Sequence, residues 1–119
     1  MVAEEWIDML KKALQHYANR LQKLQKDSKE KLGSDLLGND LELEISKAED
    51  ILNMLKSSNY DPIIRDNKDL ICHALGLYKG DLEASKQMIN EIPGLSPKLQ
   101  NVEEQLRMVS DAISKFKCG

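Results

Sequence analysis

Between Ile63 and Tyr78 the chain carries its broadest apolar surface, and that breadth limits how the rest can be arranged. At 100° per residue, Ile63, Leu70, Ile71, Ala74, Leu75, Leu77 and Tyr78 spread over an arc of roughly 160° on one helix, with Ile64 at the flank. An arc this wide needs apolar neighbours on two sides, so the sequence predicts that this helix is central. Asp61-Pro62 supplies its start, a carboxylate N-cap followed by proline at the first helical position. Gly76 lies outside the arc and permits close approach of another helix. Gly80 suits a left-handed C′ position, and Asp81 can cap a following helix at once. That helix, Leu82 to Ile92, would stop at Pro93-Gly94, so a helical hairpin is expected over 61–92.

Three further stretches step by three and four residues, the spacing of a heptad seam. Ile7, Leu10, Leu14, Tyr17, Leu21 and Leu24 mark the first, within a helix predicted from about Val2 to Leu32. Beyond Leu24 the seam gives out, and Lys23, Lys26, Lys29 and Lys31 crowd the same turns. Gly33-Ser34 breaks this helix, and Leu36-Leu37 tucks in as a short turn. Asn39 or Asp40 then caps a second helix to about Lys56, with Leu41, Ile45, Ala48, Leu52 and Leu55 along its seam. Ser96-Pro97 starts the last helix, whose seam is Leu99, Val102, Leu106, Val109, Ile113 and Phe116. The expected fold is an all-α antiparallel bundle of four main helices plus one short helix, forming a single domain over residues 1–119. First and last helices pair either with each other or with their copies in a homodimer.

Composition excludes several classes. With 41% hydrophobic and 31% charged residues the chain is globular rather than disordered, and with only 4% aromatics its core must be aliphatic. A net charge of −3 favours neither nucleic acid nor a charged surface. No run approaches the roughly 20 apolar residues of a membrane span, and no signal peptide is evident. Two cysteines are too few for a disulfide framework, which suggests a reducing, cytoplasmic location. The first helix is rich in lysine and the second in carboxylates, a division that ordinary solvation of two helices explains and that antiparallel neighbours with complementary rims would also produce.

Catalytic and metal signals are sparse. Asp69 and His73 share a helical face, with Asp66 within reach, but a solvent-facing i,i+4 pair explains them without chemistry. Cys72 and His73 are adjacent and point about 100° apart, which does not suit a shared ion. His16 falls on the outer face of the first helix. Glu42, Glu44 and Glu49 lack the Glu-x-x-His companions of di-metal bundles. The glycines are scattered rather than gathered into a phosphate loop. No metal, cofactor or small-molecule substrate is therefore expected.

Two resemblances attach to particular residues. Arg65 and His73, on one predicted helix, resemble the Arg-and-His pair of HEPN-type ribonucleases, whose domains are helical bundles; the wide spacing carries no role across. Gly80-Asp81-Leu82-Glu83, followed by Ile89 and Pro97, is similar to the second half of a tetratricopeptide repeat over about 35 residues, with Gly76 and Ser85 departing from that pattern. Such repeats are protein-binding hairpins.

The functional expectation is a non-enzymatic protein–protein interaction module, partnered by another protein or by itself. Trp6, Met9, Met54 and Met108 lie at or beyond the seam edges, where soft apolar side chains make adaptable contacts. An alternative is a small nucleic-acid-associated protein that uses Lys23, Lys26, Lys29 and Lys31. Truncation at Leu70 or Ile71 is expected to cost on the order of 2–5 kcal/mol, and at Met9 under about 1 kcal/mol.

Overall fold

The computed structural model describes residues 4–32, 38–57 and 59–118, without the side chains of 31, 32, 38 and 39. The described residues form α1 (Glu4–Leu32), α2 (Gly38–Met54), α3 (Tyr60–Asp66), α4 (Lys68–Glu91), a 3-10 segment (Pro93–Lys98) and α5 (Leu99–Lys115), with no strand among them. The expected all-α bundle of four main helices and one short one is present, but the short helix is α3. The expected breaks at Gly33-Ser34 and Leu36-Leu37 lie outside the described residues, as does the side chain of Asn39.

Two antiparallel helix pairs make up the bundle. Lys11 and Gln15 of α1 lie beside Asn53 and Lys56, and Gln25 donates to Glu42 at 3.4 Å, so α1 and α2 run in opposite directions. In the second pair, Cys72 of α4 meets Cys118 just past α5, and Lys86 approaches Glu103 at 3.9 Å. The lysine-rich and acidic rims of α1 and α2 meet through hydrogen bonds, Gln25 to Glu42 and Tyr17 to Glu44, with no ion pair between the two helices among the described residues.

The hub is α1, which packs on α2, α4 and α5. Ile7, Met9, Leu10, Ala13, Leu14, Tyr17 and Ala18 are all buried, joined by Ile51 of α2 and Leu55 just past its end, Ile71, Ala74 and Leu75 of α4, and Val109 and Ala112 of α5. Met9 is 1% exposed. It therefore cannot serve as a partner contact, and its truncation belongs with that of Ile71 in the range of about 2–5 kcal/mol. The narrow seam predicted for α1 is widened by its alanines, which carry little hydrophobic signal but let neighbouring helices close over Met9. Leu70 is only half-buried, whereas Ile71 is fully so.

The hairpin expected at Gly80-Asp81 does not form. Instead α4 runs unbroken through both residues, and the interruption falls earlier, at Asn67. There the backbone turns aside (φ −121°, ψ 25°) and the Asn67 side-chain amide donates to Ile63 O at 2.8 Å, capping the end of α3. Glycine inside a helix costs about 1 kcal/mol relative to alanine, an amount that packing along a 24-residue helix overrides. Asp81 is turned towards α1 instead of capping a new helix. The tetratricopeptide-like hairpin is likewise absent from this stretch.

At its far end α5 closes with paired backbone bonds, Cys118 N–H to Ile113 O at 3.0 Å and Lys117 N–H to Ser114 O at 3.1 Å. This is the Schellman pattern, which places Lys117 in the left-handed region (φ 58°) at a position where glycine is the usual occupant. A β-carbon there costs on the order of 1 kcal/mol. The two cysteines, too few for a disulfide framework and read as a sign of a reducing location, form a single disulfide, Cys72–Cys118, with Cα atoms 5.3 Å apart. The helical ends of α4 and α5 bring them together, a proximity that a count of cysteines does not contain.

A methyl group added at Gly80 would meet nothing within 4 Å. Gly80→Ala is therefore expected to raise stability by up to about 1 kcal/mol in a denaturant titration, as a helix-interior replacement does. A loss of stability would instead indicate a left-handed Gly80 and a bent helix.

Candidate functional site

Polar side chains converge where α1 crosses α4. His16 Nε2–H donates to Asp81 Oδ2 at 2.6 Å, and Arg20 Nη1 donates to both carboxylate oxygens at 2.9 Å. Tyr78, one turn before Asp81, sets its ring 5.2 Å from that of His16. The hydrogen bond from His16, reinforced by Arg20, holds the Asp81 carboxyl below the ordinary aspartate range against an opposing effect of burial. The cluster clasps α1 to α4. His16, expected on the outer face, owes this role to a residue far away in sequence.

On the other side of the crossing, Tyr17 meets the edge of His73 with ring centroids 5.5 Å apart. The Tyr17 hydroxyl donates to Glu44 Oε2 at 3.1 Å. Burial first, then the Glu44 bond and charge, push the Tyr17 hydroxyl up, so it remains a donor. Beyond this pair opens a cleft of about 550 Å³ lined by Tyr17, Glu44, Lys47, Arg65, Asp66, Asn67, Lys68, Asp69, Leu70 and His73. Its cations and carboxylates are interleaved: Lys47 lies 3.5 Å from Glu44, and Arg65 lies 3.4 Å from Asp66. Arg65 and His73 thus face one cleft, while no hydrogen bond joins Asp69 to His73 among the described residues. Tyr17 and His73 also border a neighbouring groove of about 430 Å³, whose apolar part is Leu21, Leu24 and Leu77 and whose rim includes Arg20 and Lys23.

The side chains proposed from sequence as partner contacts are scattered. Trp6 is half-buried against the core, with Lys115 Nζ 4.8 Å from its ring centre. Met108 packs partly on the core, Met9 is enclosed, and Met54 alone of the methionines at 9, 54 and 108 is 40% exposed. Lys23, Lys26 and Lys29 are exposed on α1, and the side chain of Lys31 lies outside the described residues. Periodicity places Met88 and Ile92 on the apolar side of the helix expected over Leu82–Ile92, yet both are exposed, at 58% and 44%. That this side stays uncovered depends on the packing of other helices, which the spacing of its own residues does not contain.

Among the described residues no three His, Cys, Asp or Glu side chains are grouped to hold a metal ion, and no helix is long and apolar enough to cross a membrane. No protein-family model, curated protein or solved structure matches the chain.

Asp81 has a lowered folded-state pKa, so the clasp contributes fully above the unfolded aspartate value of about 4 and is lost as pH falls through the lower folded value. Asp81→Asn is expected to cost about 1 kcal/mol or less at neutral pH, since the partners are partly exposed, and to narrow its deficit below about pH 4. Paired thermal melts at pH 7 and pH 3 check this; a deficit of constant size would show that the carboxylate charge is not what holds the helices.

Proposed function

We propose that the protein is a non-enzymatic helical interaction module, and that it engages its partner through the second half of α4. One observation supports this most directly. At 100° per residue, His73, Leu77, Asp81, Ala84 and Met88 fall within about 80° of one another on α4, and Ile92 follows in extended backbone just past its end. Of these, His73 meets Tyr17 and Asp81 meets His16 and Arg20 of α1, while Leu77 lines a groove together with Leu21 and Leu24. Past Asp81 the same side continues as Ala84 and Met88, both exposed, with exposed Ile92 at the helix end. A helix laid there would extend the packing that α1 begins, with methionine supplying an adaptable contact. The partner is another protein or a second copy of the chain, and the proposal keeps the cytoplasmic location inferred from sequence.

Light scattering behind a sizing column, across a wide concentration range, tests the assignment. Met88→Glu combined with Ile92→Glu is expected to leave stability within about 0.5 kcal/mol, as exposed changes do, and to abolish concentration-dependent association. Association that persists unchanged in this variant overturns the assignment of the α4 stripe. A wild-type chain that stays monomeric throughout restricts the partner to a different protein.

A second reading, association with RNA, is favoured by the shared cleft of Arg65 and His73 and by its continuity, through Tyr17 and His73, with the groove beside Lys23. Here the lysine-rich end of α1 would follow the phosphate backbone. The interleaved carboxylates Glu44, Asp66 and Asp69 weigh against it. This reading predicts RNA binding that falls steeply with salt and weakens on Arg65→Ala, with cleavage lost on His73→Ala. A binding assay that detects no retention at low salt excludes it.

A further inference from the structure

We propose that the Cys72–Cys118 disulfide is a redox-controlled latch that holds residues 115–118 in place at the end of α5, Phe116 in the core and Lys115 over the Trp6 ring. Successive residues at the end of α5 each make a different anchor. Lys115 lies over the Trp6 ring at 4.8 Å, Phe116 is buried in the core at 6% exposure, and Cys118 is bonded to Cys72 on α4. Between Phe116 and Cys118 stands Lys117, the positive-φ non-glycine residue among those described. The turn that seats Phe116 is thus conformationally unfavourable for its own sequence, and the covalent bond prevents that turn from fraying.

Both cysteines are half-buried rather than enclosed, so a small thiol can reach the bond. The exchange consumes two equivalents of a small thiol such as glutathione. One thiolate attacks a cystine sulfur, forming a mixed disulfide and expelling the other cysteine as thiolate; a second thiolate then attacks the small thiol's sulfur in that mixed disulfide and expels the remaining cysteine, leaving both cysteines reduced and the two small thiols joined as a disulfide. Two electrons pass from the pair of thiols to the cystine. Without the tether, the last turn of α5 depends on Lys117 keeping its left-handed backbone and on Lys115 staying over a half-buried ring. Local opening of such a segment is a small event beside global unfolding. Disulfides in reducing compartments are usually transient and redox-sensing, which suits a reachable bond placed at a helix terminus. The group uncovered is the Trp6 ring in the first turn of α1, and it is separate from the exposed stripe on α4.

Trp6 is the sole tryptophan of the chain and reports on the latch directly. The full-length protein is equilibrated in glutathione buffers of graded ratio, with thiol content read by alkylation and mass, Trp6 emission and acrylamide quenching by fluorescence, and amide protection by hydrogen exchange. Reduction within the glutathione range is expected to red-shift and expose Trp6 and to remove protection from residues 113–118, while α1 and α2 stay protected. Cys72→Ser and Cys118→Ser should each reproduce the reduced form, and reoxidation of the wild-type chain should reverse it. A bond that survives every glutathione ratio, a reduced chain with Trp6 and residues 113–118 unchanged, or reduction that unfolds all helices together would each overturn the latch.

Discussion

Close approach of helices through alanine is the constraint on which this structure depends. Ala13 and Ala18 on α1, Ala48 on α2, Ala74 on α4 and Ala112 on α5 are all essentially without solvent exposure. A chain this poor in aromatics cannot fill wide gaps between helix axes with large rings. It brings the axes together instead, and small side chains at the contacts let Ile, Leu and Met from adjacent turns interlock. α1 carries two of these alanines and so can accept neighbours on more than one side. The placement of the polar groups follows: once α1 lies against α4, His16 and Arg20 reach Asp81, and Tyr17 reaches both Glu44 and His73.

Fold class was legible in the spacing of Leu, Ile and Val, because a period of three to four residues reports which face of a helix is apolar whatever the tertiary context. The stop at Pro93-Gly94 was legible for the same local reason. Gly80-Asp81 misled because its local chemistry favours a break by an amount that packing overrides, whereas Asn67, which does interrupt the helix, carries no Gly or Pro signal. Met9 misled because alanine counts for little in a hydrophobic pattern and for much in a close helix contact. Its neighbours Ala13 and Ala18 made the buried face of α1 wider than the seam.

Less of the candidate site could be read in advance. The Arg65 and His73 pair was visible along one stretch, and both face one cleft even though the backbone breaks between them at Asn67. The His16–Asp81 contact and the Cys72–Cys118 bond join residues far apart in sequence, and nothing in the periodicity of either partner names the other. Met88 and Ile92 could be placed on one apolar side from their spacing alone, but their exposure could not, since an exposed stripe is defined by the helix that fails to cover it.

The placement of the covalent bond also bears on the order of assembly. Its loop, with 46 residues of sequence separation, encloses nearly all of α4 and the whole of α5, and leaves α1 and α2 outside. Both antiparallel pairs are built from contacts between successive long helices, the kind a chain finds early, whereas docking of α1 on α4 and α5 joins distant segments and pays the larger loop-closure entropy. Cross-linking therefore restricts the unfolded ensemble of the second pair only, and leaves the encounter of the two pairs, through alanine-lined faces, as a search that oxidation does not shorten.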